Sequence, residues 1–195
     1  MILMNDFTAE PTALKDQMLA AVSGVIDSGW YVLGKQVISF EQAWAEVCSV
    51  PHAVGVGNGM DAIEIALRAL DIGPGDEVIT TPMTAFATVL AILRAGATPV
   101  LADIEPETAL LDRESVERCV SSRTKAIVLV HLYGQVRDMH AWVTLCESHN
   151  ILLIEDCAQS HLAKWQGQVS GSFGTAGAYS FYPTKNLGAL GDGGM

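Results

Sequence analysis

Three short stretches of this sequence carry residues that could act together on one small molecule. In Ser180-Phe-Tyr-Pro-Thr-Lys-Asn186 a single lysine, Lys185, sits among aromatic and apolar neighbours. A partly desolvated lysine is a usable amine nucleophile toward a carbonyl carbon, although an ordinary surface lysine is the commoner case at any one position. In Ile151-Leu-Leu-Ile-Glu-Asp156, followed by Cys157, Ala158 and Gln159, an acid closes an apolar run. A carboxylate at the end of a buried strand can keep a heterocyclic nitrogen protonated by charge attraction and a hydrogen bond; a helix cap or a metal ligand competes with that role. In Gly55-Val-Gly-Asn-Gly59, just before Met60, glycines between a strand and a helix would let backbone amides and the helix dipole hold an anion. Taken alone, this stretch suits a plain tight turn about as well. A dinucleotide fingerprint does not fit, because Met60 stands where the third glycine belongs and no acid ends a second strand at the expected distance.

The three stretches fit one reagent. Pyridoxal phosphate needs a lysine for its aldehyde, an acid for its ring nitrogen, an anion site for its phosphate and a flat apolar surface for its ring. Loops that supply these groups act together only if the fold brings them to one edge.

The elements that must do so alternate along the chain. Apolar residues at helical spacing run from Ala13 to Ile26 until Ser28-Gly29 breaks the pattern. A second helical stretch, Phe40 to Val47, puts Phe40, Trp44, Val47 and Cys48 on one face. Strands are expected at Ala53 to Val56, Glu77 to Thr80, Thr98 to Ala102, Ala126 to Val130, Ile151 to Ile154 and Ala176 to Phe181. Helices are expected between them at Asp61 to Leu70, Ala85 to Arg94, Glu114 to Val120 and Met139 to Ser148. Apolar, non-alternating strands separated by helices predict an α/β domain whose mostly parallel sheet is covered on both faces. Ligands of such sheets bind at the carboxyl ends of the strands, and the three stretches fall there.

Composition removes several classes of partner. With 22 acidic against 11 basic residues, the net charge of −11 repels nucleic acid and anionic lipid. The start, MILMNDFTAE, carries acids early and no basic residue before an apolar run, so a signal peptide is not expected. The most apolar stretch, Ala85 to Ala102, is interrupted by Arg94, Gly96 and Pro99, and no membrane span is expected. Cys48, Cys119, Cys146 and Cys157 are scattered and the five histidines form no cluster. Reduced packing cysteines in a cytoplasmic protein are therefore expected, and no metal site. Because Gly191-Asp-Gly-Gly-Met195 is a glycine-rich end with no element after it, the chain reads as a truncated piece of a longer one.

The order of longer motifs resembles the sugar aminotransferases of the DegT/DnrJ/EryC1/StrS family. The likeness runs through Gly29-Trp-Tyr-Val-Leu-Gly34 with Phe40-Glu41, Gly59-Met-Asp-Ala-Ile63, Gly73-Pro-Gly-Asp-Glu-Val-Ile79 and Gly96-Ala-Thr-Pro-Val100. It continues through His131-Leu-Tyr-Gly-Gln135, Glu155-Asp-Cys-Ala-Gln-Ser-His161, Gly171-Ser-Phe-Gly174 and Ser180-Phe-Tyr-Pro-Thr-Lys-Asn-Leu-Gly188. Nearly the whole chain is covered, and several long motifs in one order make the resemblance specific.

The resemblance implies a fold type I architecture: a three-layer large domain with a mostly parallel sheet. Residues 1–195 would be an N-terminal segment plus an incomplete large domain, with the C-terminal small domain absent. It implies that Lys185 holds the aldehyde of pyridoxal phosphate as a Schiff base, and that Asp156 pairs with the ring nitrogen. Gln159 would approach the ring hydroxyl, Phe86 would stack on the ring, and Gly59, Met60 and Ser180 would bind the phosphate. Relatives often have threonine where this chain has Met60; a backbone amide contact survives that change and a hydroxyl contact does not. The implied reaction moves an amino group from glutamate or glutamine to a keto sugar attached to a nucleotide, in a homodimer when full length. Dehydrating relatives replace the lysine with histidine, and some add an iron–sulfur cluster; Lys185 and the unclustered cysteines point to transamination. The competing readings are that dehydratase branch, another fold type I enzyme such as a desulfurase or lyase, and an inert or regulatory remnant that keeps the fold.

Overall fold

The computed structural model describes residues 5–195. Met1 to Met4, the start of the stretch read above for a signal peptide, lie outside the described residues. A 3-10 turn at Phe7–Ala9 leads into α1 (Thr12–Ser28) and α2 (Lys35–Cys48), and then helix and strand alternate. The order is α3 (Gly59–Ala69), β1 (Glu77–Thr80), α4 (Phe86–Ala95), β2 (Thr98–Leu101), α5 (Arg113–Cys119) and β3 (Thr124–Val130). A second 3-10 turn at Leu132–Gly134 precedes α6 (Met139–His149), β4 (Leu152–Asp156), a short hairpin of β5 (Lys164–Trp165) and β6 (Gln168–Val169), and β7 (Ala176–Ala178).

The five longer-range strands form one sheet in the order β2-β1-β3-β4-β7, parallel at every pairing. Successive residues of a strand point to opposite faces, so each strand feeds two cores. Val78, Val128 and Ile154 pack under α3 and α4 with Ile63, Leu67, Ala91 and Ile92. Ile79, Ile127, Leu129 and Leu153 pack under α5 and α6 with Val116, Met139, Trp142 and Leu145. The absence of polar alternation in these strands thus follows from burial on both sides.

Local signals set the ends of the helices. Asn58 Oδ1 accepts the Asp61 amide at 2.9 Å and starts α3, while Asp112 accepts the amides of Glu114 and Ser115 and starts α5. Gly29 and Gly96 close α1 and α4 in the left-handed region, at φ 64° and 90°, where a side chain is strained.

Three expectations are corrected. Ala53 to Val56 forms no strand; Val56 makes only one antiparallel bridge, to Gly194. The strand expected to reach Phe181 ends at Ala178, and its continuation pairs instead with the chain end, Tyr179 exchanging both backbone bonds with Met195. The second helix begins at Lys35, and of its expected apolar face only Trp44 and Cys48 are buried. A groove of about 570 Å³ runs between residues 50–56 and 171–179, floored by Ala62, Ile65 and Ala66 of α3. α1 buries no residue. Among the described residues no helix is long and apolar enough to cross a membrane.

Candidate active site

Asp156 is the last residue of β4 and is buried, pairing in register with Ala178 of the neighbouring β7. Its side chain lies on the α3/α4 face of the sheet, the face of Ile154 two residues earlier. There Oδ2 accepts the Thr88 hydroxyl at 2.8 Å, and Oδ1 accepts the Ala158 amide at 3.1 Å. The second bond is a local turn, so of the competing roles the helix cap drops out: no helix follows β4 directly.

Glu155, its neighbour, necessarily points to the opposite face and is fully buried. All of its acceptor capacity is engaged by a fixed cage. Oε1 accepts the amides of Phe173 and Gly174, both at 2.8 Å; Oε2 accepts the Gly171 amide at 2.7 Å and contacts His131 Nε2 at 2.8 Å. Together with Cys157, His131 and Glu155 offer atoms within 4.8 Å of one another, a grouping that scattered sequence positions conceal. Burial pushes the Cys157 thiol well above its ordinary range, which keeps it protonated, and both Glu155 oxygens are taken. His131 and Glu155 therefore tie the ends of β3 and β4 to the turn at residues 171–174.

The anion-binding candidate sits at the start of α3. Gly59 and Met60 supply first-turn amides that have no intrahelical acceptor. A Cβ on Gly59 would lie 2.6 Å from Ser180 Cβ, so only glycine lets the start of α3 close on Ser180. The Met60 side chain turns away, packing against the α3/α4 core and approaching Arg94 Nη1 at 4.0 Å. What Met60 can offer an anion is its amide. Amides, a hydroxyl and a helix terminus converging in one place suit a phosphate.

Lys185 follows β7 in a turn closed by its own amide on the Tyr182 carbonyl at 2.8 Å and by Ala189 on Phe181 at 2.7 Å. It is half-buried. His161 anchors this segment from below: Nε2 lies 2.8 Å from the Ser180 carbonyl, and since a carbonyl only accepts, Nε2 carries the proton. Burial pushes the His161 imidazole below its usual 6.5; the Ser180 carbonyl and the Asn186 side chain oppose that, and the Lys185 charge adds to it.

Gln159 lies in the turn after β4, its Oε1 accepting the Tyr133 amide at 2.9 Å. Tyr133 itself adopts a left-handed φ of 56°. Phe86 opens α4 and is 70 % exposed, an uncovered apolar residue two positions before Thr88. Asp156, Gln159, Ser180 and Lys185 thus follow or end the adjacent strands β4 and β7, and Gly59 touches Ser180. Thr88, Glu155 and His131 contribute to this region although no sequence pattern assigns them a role of their own. The i, i+4 pair Thr84/Thr88 at a helix start and the double acid Glu155-Asp156 at a strand end were the available signals.

The DegT/DnrJ/EryC1/StrS aminotransferase family matches residues 12–195. The chain is 48% identical over 192 residues to a pleiotropic regulatory protein of Geobacillus stearothermophilus, covering 98% of this chain and 52% of that one. It is 44% identical over 189 residues to the dTDP-3-amino-3,4,6-trideoxy-alpha-D-glucose transaminase of Streptomyces venezuelae, covering 97% and 50%. Among solved structures, S. venezuelae DesV in complex with ketimine intermediate superposes with a TM-score of 0.93 at 45% identity, over 97% of this chain and 51% of that one. The chain spans about half the length of these relatives.

Proposed function

The chain belongs to the DegT/DnrJ/EryC1/StrS aminotransferase family, and from that premise we propose that it supplies the cofactor-holding half of a pyridoxal-phosphate-dependent sugar aminotransferase. The observation that carries the proposal is the shared edge. A buried carboxylate ends β4, a lysine turn leaves the adjacent β7, and a hydroxyl of that same segment meets the amide-rich start of α3. A lysine, an acid and an anion cradle at one sheet edge are the set that pyridoxal phosphate requires.

The assignment is residue by residue. Lys185 is the amine that would hold the cofactor through its aldehyde carbon and, when free, would move a proton at the donor carbon. Positioned acid–base transfer of this kind contributes about 10²–10⁴-fold in rate. Asp156 would hold the proton of the ring nitrogen, Gln159 would approach the ring hydroxyl, and Phe86 would cover one ring face. The amides of Gly59 and Met60 and the Ser180 hydroxyl hold the phosphate. The bound cofactor supplies an electron sink for charge that develops on the donor carbon, and Asp156 is what keeps that sink electron-poor.

The acceptor proposed is a keto sugar carried on a nucleotide, in keeping with the dTDP-amino-sugar transaminase of S. venezuelae; the donor proposed, from the family resemblance, is glutamate or glutamine. A cytoplasmic homodimer of a longer protein, with a small domain beyond residue 195, completes the proposal. A regulatory role is the second reading, favoured by the name of the G. stearothermophilus relative. The test is Lys185→Ala in the full-length protein: the visible absorbance of the lysine-bound cofactor and the transfer of amine to a keto sugar should both vanish. Retention of that absorbance with turnover would overturn the assignment. Binding without turnover in the unaltered protein would favour the regulatory role.

A further inference from the structure

We infer that Thr84 and Thr88 form a one-way hydroxyl relay that fixes the orientation of the Asp156 carboxylate, so that Thr88 is a positioning residue for the proposed transamination. The inference rests on the role given to Asp156 above. Thr88 is 1% exposed, and its Oγ1 lies 2.8 Å from Asp156 Oδ2. The Thr84 hydroxyl lies 2.8 Å from Thr88 Oγ1. A hydroxyl has one proton to give. Thr88 spends it on the carboxylate, which only accepts, so Thr88 must accept from Thr84. The chain of donors has one direction: Thr84 to Thr88 to Asp156.

This bond is not a packing accident. Between α4 and the sheet a valine would fill the same space without a polar atom to satisfy, and a buried hydroxyl is costly unless it is bonded. A threonine inside a helix commonly turns its hydroxyl back on its own backbone; this one crosses to a strand 68 residues away.

The geometric consequence lies in what the two oxygens can still do. Oδ2 is held by α4 and Oδ1 by the Ala158 amide. Rotation of the carboxylate about its own axis breaks both bonds, while each oxygen keeps a lone pair for a further donor. Because Phe86 opens the same helix, α4 fixes the proposed partner of the ring nitrogen and the proposed cover of the ring in one rigid piece.

The test uses full-length protein loaded with pyridoxal phosphate carrying ¹⁵N in the ring, with Thr88→Val, Thr88→Ser and Thr84→Val. In Thr88→Val the ring nitrogen should lose its proton about one pH unit lower, a tenfold change. The kcat should fall about ten- to a hundredfold with the donor KM unchanged, and Thr88→Ser should restore both. Thr84→Val, which leaves the packing of Thr88 intact, should shift the titration the same way by less, and it serves if Thr88→Val does not fold. Crystals of cofactor-free Thr88→Val should show the Asp156 carboxylate turned. A ring-nitrogen titration unmoved or moved upward in both valine variants would overturn the inference, since upward movement means that the hydroxyl tuned basicity instead of holding direction. If the unaltered protein binds no cofactor at Lys185, the functional proposal fails, and the carboxylate orientation in the crystals still decides the relay.

Discussion

At the scale of single residues, the two side chains of the Glu155-Asp156 pair divide their work because a strand sends them to opposite faces. Asp156 turns to the α3/α4 face, where its proposed role is to meet the cofactor's ring nitrogen, and Glu155 is consumed by three amides and His131. Glu155→Ala leaves those buried donors unpaired and should destabilise the protein by at least about 3 kcal/mol in urea titrations. Glu155→Gln should rescue little, since its amide group must present a donor to a donor. His161 sets a pH dependence of its own. Its imidazole titrates below 6.5 when folded, so an unfolded chain takes the proton first as pH falls. The stability it contributes is whole above about 6.5 and is lost downward through the folded value. His161→Gln should flatten that part of a stability profile, and an unchanged slope would show that the burial of this ring is irrelevant. Lys185 and Asp156 could be found in the sequence because each sits beside its own strand. Thr88 could not, because its meaning depends on a partner 68 positions away.

At the scale of elements, the apolar run of each central strand and the periodicity of each helix made α3 to α6 and β1 to β4 readable to within a few residues. What escaped was structure held by few or distant bonds. Ala53 to Val56 has strand-like composition but a single bridge, and β5 and β6 are two residues each, too short for any period. Close approach between elements was equally invisible, and glycines mark it. A Cβ on Gly177 would lie 2.5 Å from the Gly171 backbone. Gly177→Ala should therefore push β7 off the turn that Glu155 holds, lowering the melting temperature measurably by circular dichroism. Gly59→Ala forces α3 away from Ser180, where the Cβ has only 2.6 Å. It should weaken cofactor binding about tenfold or more while the melting curve moves less than in Gly177→Ala. Equal damage to both properties would count against a dedicated anion cradle.

At the scale of the whole molecule, many large apolar side chains are left uncovered. α1 buries nothing, Trp30, Tyr31, Val32 and Leu33 are all more than half exposed, and the groove beside β7 is open. Contiguous apolar surface of this kind promotes association, so residues 1–195 expressed alone should elute as aggregates; a monodisperse monomer in gel filtration would refute that. The buried thiols allow a different use of the same molecule. Cys48, Cys146 and Cys157 are buried while Cys119 is partly open, and burial pushes Cys146 up to about 12. An alkylating reagent should therefore modify one cysteine quickly and the other three only as fast as their surroundings breathe. Those three sulfurs stand in α2, α6 and just after β4, so their separate labelling rates would act as stopwatches for three regions of one protein.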